Sequence, residues 1–257
     1  MGSFCGYAIP GTVFFSVGAW HTIQASRKYL QCKNKQEPFK SSTWYAGDCC
    51  FNNLTDFPME PCLKAMLCLV GFLIGITNDD QTYGVFDHHI NKKQSVIYIF
   101  FGLNALLEGI THHKLINFPF VDHISYVVAY GVEFILFYFR RSEPDVNNRV
   151  HFFMLFIILI SIISVFSMML YPHYIEPAFS HSFGLLLQGT WLWQIGLISN
   201  NPIPELNLDN NINEQDNKSV LLFLCHFGSV LLLVIIIHLV TRWFNRQNTV
   251  TLDENRI

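Results

Sequence analysis

Residues 151–170 read HFFMLFIILISIISVFSMML, an unbroken run without one Asp, Glu, Lys or Arg. No other feature constrains the fold of this chain as much. As an α-helix the run is about 30 Å long, the thickness of the hydrocarbon core of a bilayer. VLLFLCHFGSVLLLVIIIHLV, Val220–Val240, is a second run of the same kind. Composition separates a membrane bundle from a large soluble core. Only 14% of the 257 residues are charged, against roughly a quarter in soluble domains.

The reading is an all-α polytopic membrane helix bundle of about seven transmembrane helices. The spans run Tyr7–Ile23, Pro61–Thr77, Gln94–His112, Val121–Phe139, Val150–Leu170, Pro177–Ile198 and Ser219–Trp243. They form one unit over residues 1–244, followed by a loose polar tail, 245–257. The first span is not a cleaved signal peptide, because no basic residue precedes its long apolar run. Gln24–Glu60 and Ser199–Lys218 are the two long connections, the second rich in Asn and acid and read as solvated loop.

The lipid bilayer is thus the first partner. A formal net charge of −3 carries no basic surplus for nucleic acid. The seven Cys form no CxxC pair. Protein partners and oligomeric state are left open by the residues alone. Lys and Arg concentrate beside the first, third and fifth connections, as at Arg27, Lys28, Lys64 and Lys114, and beside the C-terminus, as at Arg242. By the positive-inside rule that side is cytoplasmic and the N-terminus is outside. Cys32, Cys49, Cys50, Cys62 and the sequon at Asn53 argue the other way, since disulfides and glycans belong outside the cytosol.

Polar side chains in hydrocarbon must be partnered, so they mark where helices meet or where chemistry occurs. Asn104, Glu108 and His112 recur every four residues and share one helix face. Glu133 stands alone in its span, and Glu108 and Glu133 are candidates for one buried cluster. His181 and Gln188 share a face of the sixth span, and His226 lies in the seventh. Gly189, Trp193 and Gly196 form one strip, and Gln188, Trp191 and Ile195 a second. Small residues bring a neighbouring helix close, and amides such as Gln188 and Gln194 clamp across helices. Ser161, Ser164 and Ser167 form a milder stripe. Asp87, His88 and His89 are placed in the loop after the second span. No cofactor is expected on the clamp reading. The alternative is zinc held by Glu108, His112, His181 and His226.

GYAIPGTVFF (Gly6–Phe15), YIFFGLNALLEG (Tyr98–Gly109), EFILFYF (Glu133–Phe139) and LLQGTWLWQIG (Leu186–Gly196) together resemble the transmembrane protein 45 family. The resemblance implies a multi-pass protein of Golgi, endosomal or plasma membranes, without a defined biochemical activity. It places family positions on Glu108, Glu133, Gln188, Trp191, Trp193, Gln194 and His226. The chain departs from the family at Tyr7 and Gln94, where histidines are expected, and in RRSEPDVNNRVH (Arg140–His151), where a His-rich connection is expected. The best-supported function is then a non-enzymatic scaffold, trafficking or signalling component. An intramembrane metal-dependent lipid hydrolase and a proton-coupled transporter or seven-helix receptor are the alternatives.

Overall fold

The structure is a computed structural model, and it describes residues 4–45, 58–77, 85–115, 118, 120–140, 148–200 and 212–254. Among these residues seven helices follow in order: α1 (Phe4–Lys35), α2 (Met59–Thr77), α3 (Val85–His112), α4 (Val121–Arg140), α5 (Asn148–Leu170), α6 (Glu176–Asn200) and α7 (Ile212–Glu254). The fold class is all-α. Four helices contain segments long and apolar enough to cross a membrane: Ser95–His112, Val121–Phe139, Val150–Leu170 and Lys218–Arg246.

Burial along α5 shows what this apolar sequence does. Phe152, Phe156, Leu159, Ile163, Phe166 and Leu170 are exposed, a stripe at helical spacing. Met154, Ile157, Ile158, Val165 and Met168 on the other face are buried. In water such a stripe would be an aggregation surface; against lipid tails it is simply the outer face. Exposed apolar residues continue over Leu221, Leu224, Leu232 and Leu239 of α7, and α2 also exposes Leu63, Met66, Leu69 and Leu73. Helices suit this setting because each satisfies its own backbone hydrogen bonds without water.

α6 is the central element, with Leu185, Leu186, Leu187, Gln188, Trp191, Leu192 and Ile195 all buried. It packs against α1, α5 and α7, while α5 meets α4, α4 meets α3 and α3 meets α2. The chain α6–α5–α4–α3–α2 almost returns to α1, but α1 and α2 meet chiefly where Trp20 and His21 reach Glu60. This weak seam becomes important below.

Several boundaries differ from the sequence reading. α1 continues to Lys35, well past the expected end at Ile23. α3 begins at Val85, so Asp87, His88 and His89 fall in its first turns and not in a loop. α7 starts within the expected loop and runs on to Glu254, into the tail expected to be loose. Apolar periodicity marks only the lipid-facing part of a helix, and these helices continue beyond it. Cys49, Cys50 and the sequon at Asn53 lie outside the described residues. Cys32 and Cys62 are free thiols, not joined to each other.

α1 ends by a defined device. Gln36 takes φ 56°, its N–H bonds Lys33 O at 3.4 Å, and Glu37 N–H bonds Cys32 O at 2.9 Å. This is a Schellman cap with a non-glycine residue in the left-handed position. It turns the chain back over the end of the bundle. Phe39, Ser41, Thr43 and Tyr45 then alternate inward and are buried. Ser41 N–H donates to Pro172 O at 2.7 Å, and Phe39 O pairs with His173 Nδ1 at 2.9 Å. Residues 37–45 form a strap that roofs one end of the helices.

Candidate functional site

Beneath the strap lies a cluster of buried charges that sequence reasoning missed. Glu60 and Lys64 are one turn apart on α2, and they are 6% and 8% exposed. Lys64 Nζ lies 2.6 Å from Glu60 Oε1 and 3.1 Å from Glu108 Oε2, and it donates to Thr43 O at 3.3 Å. The three donors of the ammonium therefore all have acceptors. Glu60 receives more than Lys64: Trp20 Nε1 donates to its Oε2 at 2.9 Å, and the Tyr45 backbone N–H does so at 2.9 Å. His21 Nε2 lies 2.6 Å from Oε1. Burial, with the Glu60 carboxylate beside it, pushes the Tyr45 phenol above its ordinary value.

The sequence reading placed Glu60 in a connection and counted Lys64 among the interfacial positive charges. Both placements are overturned by the burial of this pair. The available signal was their spacing of four, together with the absence of any other charged residue from Met59–Thr77.

The expected stripe on α3 does look inward at its first two members. Asn104 Nδ2 donates to Asp122 O at 3.2 Å and to Ser125 Oγ at 2.8 Å. Glu108 pairs with Lys64. His112 lies further out, with its ring edge on Trp44 at 5.2 Å. Glu108 and Glu133 do not share a cluster. Glu133 meets Gln188 instead, whose Nε2 donates to Glu133 Oε1 at 2.6 Å.

On α6 the two strips separate cleanly. Gly189 and Gly196 lie against α1, and Trp193 Nε1 donates to Thr12 Oγ1 at 3.1 Å. Gln188 turns to α4, while Trp191 Nε1 donates to Val150 O at 2.9 Å, tying α6 to the start of α5. His226, half-buried, stands with its ring 5.6 Å from that of Trp191. His181 is enclosed by Tyr126 at 5.1 Å and His21 at 5.6 Å, ring to ring. Gln194 is buried, and its Nε2 has no partner among the described residues. Ser164 Oγ meets Ser180 Oγ at 2.6 Å, so this member of the α5 stripe is a helix contact. His181, through His21, thus adjoins the cluster of Glu60, Lys64 and Glu108, while His112 lies against Trp44 and His226 against Trp191. Among the described residues no three His, Cys, Asp or Glu side chains gather closely enough to share a metal ion.

The weak α1–α2 seam opens into a cleft. Its walls are Ile9, Pro10, Val13, Phe14 and Val17 of α1, Leu67 and Cys68 of α2, Ile97, Tyr98 and Phe101 of α3, Leu136 and Phe137 of α4, and Leu185 and Leu192 of α6. Lys64, Asn104 and Tyr126 line it toward the strap, and Glu133 and Tyr7 toward the other end. Ile9 lines the cleft and is also 39% exposed, which puts the mouth on that side. From Tyr126 to Phe137 the cleft is about 16 Å long by helical rise, close to half of a roughly 30 Å hydrocarbon core.

Residues 121–242 match the family model described as "Family of unknown function (DUF716)". The matched segment takes in α4, α5, α6 and most of α7, and with them Glu133, His181, Gln188, Trp191 and His226. The strap, Glu60, Lys64 and Glu108 fall before it.

Proposed function

We propose that this chain is an integral multi-pass membrane protein that holds one lipid chain in the α1–α2 cleft. On this reading it works as a non-enzymatic trafficking, scaffold or signalling component. The observation that carries the reading is the cleft itself. It is walled by apolar side chains, about one leaflet deep, and open at a seam between two helices that meet chiefly at their strap end. Ligand sites of this type are concave and mostly apolar, with a few placed polar groups. The resemblance to the transmembrane protein 45 family supports Golgi, endosomal or plasma membrane as the compartment. α1, α2 and α6 are taken as spans beside the four apolar ones, because each packs lengthwise along a neighbour in the bundle.

The other readings have less behind them. A hydrolase needs a positioned nucleophile or a metal-activated water, and among the described residues no three His, Cys, Asp or Glu side chains gather closely enough to share a metal ion. A proton relay would run through His21, Glu60, Lys64 and Glu108, but the ammonium is already held by three acceptors, an arrangement suited to locking helices together.

Filling the cleft tests the proposal. Val13→Trp places an indole in the wall away from both polar clusters. Wild-type protein extracted directly into lipid nanodiscs is expected to retain a single-chain lipid through gel filtration, read by mass spectrometry of the organic extract. The variant should lose most of it while keeping its elution volume and melting point. Equal lipid in both samples would sink the proposal.

Orientation has its own test. With the strap side cytoplasmic, as the charge rule favours, Asn53 stays unglycosylated. A glycosidase-sensitive mobility shift that disappears with Asn53→Gln would reverse the assignment.

A further inference from the structure

We infer that the lipid taken by the cleft carries a hydroxyl group, and that Glu133, held by Gln188, is the residue that recognises it. The inference rests on the proposed lipid cleft and adds the chemical class of the occupant.

Polar groups in an apolar wall are costly unless they are bonded. At the strap end of the cleft they are bonded: Lys64 has three acceptors, and Asn104 donates to Asp122 O and Ser125 Oγ. At the other end Glu133 and Gln188 are bonded only in part. Glu133 is 1% exposed and Gln188 is 0% exposed. One bond joins them, Gln188 Nε2 to Glu133 Oε1. Glu133 Oε2 and Gln188 Oε1 have no partner among the described residues. Of the two, Glu133 lines the cleft, so its Oε2 is the atom an occupant can reach. A hydroxyl suits that atom in either state of the carboxyl, donating to a carboxylate oxygen or accepting from a carboxylic O–H.

Position also favours a hydroxyl. Glu133 lies twelve residues into α4, about 18 Å from the strap end of that helix and about 9 Å from its last apolar residue, Phe139. A charged ammonium at that depth in hydrocarbon costs several kcal/mol, whereas a hydroxyl is far cheaper to bring there. The mouth at Ile9 lies in the same part of the bundle, because α1 and α4 run in opposite directions. The hydroxyl would sit near the mouth, and the chain would run toward the closed end under Tyr126 and Lys64. The contacts there are with Val13, Phe14, Val17, Leu67 and Phe101, all apolar.

Competition binding tests the inference. Purified full-length protein in phosphatidylcholine nanodiscs is titrated with tritiated hexadecanol, then challenged with hexadecane, hexadecylamine or palmitate. Hexadecanol should bind saturably, and hexadecane should compete about tenfold or more less well, the effect of one buried hydrogen bond. Glu133→Leu should weaken hexadecanol by a similar factor and leave hexadecane unchanged. Glu133→Gln, which keeps an acceptor oxygen and the packing, should stay within a few-fold of wild type. If Glu133→Leu does not fold, Glu133→Met, which keeps the length of the side chain and removes the hydrogen-bonding oxygens, takes its place with the same expected loss. Equal competition by alkane and alcohol would overturn the hydroxyl inference while leaving the lipid cleft standing, provided Val13→Trp abolishes both. Stronger competition by the amine or the acid would overturn it in favour of a charged head. No saturable binding of any probe would remove the cleft reading itself.

Discussion

Lys64→Met is expected to destabilise this protein more than any other single side-chain replacement in the bundle. The ammonium holds three elements at once: Glu60 of its own helix, Glu108 of α3 and the Thr43 carbonyl of the strap. Met fills a similar volume and removes only the charge and its donors. Glu60 keeps Trp20, His21 and the Tyr45 amide. Glu108 keeps nothing: Lys64 is the bonded partner of its Oε2, and its Oε1 already lacks one among the described residues. Removing one member of a buried ion pair costs about 3–5 kcal/mol, chiefly because the other member is stranded. That is a large part of the roughly 5–15 kcal/mol by which folded domains are stable. The Lys64→Met protein should therefore aggregate on detergent extraction or melt many degrees lower. Lys64→Met with Glu108→Gln should recover part of the loss, because the stranded charge is gone. A double-mutant cycle on melting free energies reads the coupling directly. A single variant that melts with wild type would show that the pair does not hold the bundle end together.

That pair also shows where the sequence stops being legible. The helices could be read because lipid imposes long apolar runs, and Val150–Leu170 appears in the sequence much as it appears in space. The faces of single helices could be read too. Gly189 and Gly196 were placed together by spacing, and the structure sets both against α1. Partnership between helices was not legible. Asn104 and Glu108 share a face by spacing, but nothing in α3 says that one bonds α4 and the other a lysine of α2. Glu108 and Glu133 looked like candidates for one cluster and belong to two. Lys64 was hidden for a related reason. A lysine near a helix start reads as a snorkelling interfacial charge, and only the strap, an irregular segment without periodicity, converts that location into an interior. The cleft is further still from the sequence. It exists because α1 and α2 part company beyond the contacts of Trp20 and His21 with Glu60, and no residue records a missing contact.

Gly189→Ala is expected to have the second-largest effect, through backbone and not charge. A Cβ at Gly189 would stand 2.5 Å from Phe15 N, 2.7 Å from Gly11 O and 2.8 Å from Phe15 Cβ. Two of those atoms are the main chain of α1, which cannot rotate away. Gly11 faces the same contact from the other side, its own Cβ falling 2.9 Å from Gly189 O. The two helices approach as closely as they do because neither has a side chain there. Adding one methyl must push α1 off α6, and overpacking of this kind costs about 1–3 kcal/mol even where neighbours are side chains that can adjust. Other glycines supply the scale. A Cβ at Gly184 meets the Ser161 hydroxyl, so Gly184→Ala should lose less and should be rescued by Ser161→Gly. A Cβ at Gly131 or Gly228 meets nothing within 4 Å, so alanine there should be neutral or slightly stabilising. The expected order of melting temperatures is Gly131→Ala at or above wild type, then Gly184→Ala, then Gly189→Ala well below. Wild-type melting of Gly189→Ala would show that α1 is free to shift against α6. The consequence reaches the cleft, because its α1 wall is held from behind by this glycine contact. A Gly189→Ala protein that still folds should therefore have a displaced wall and reduced retention of lipid.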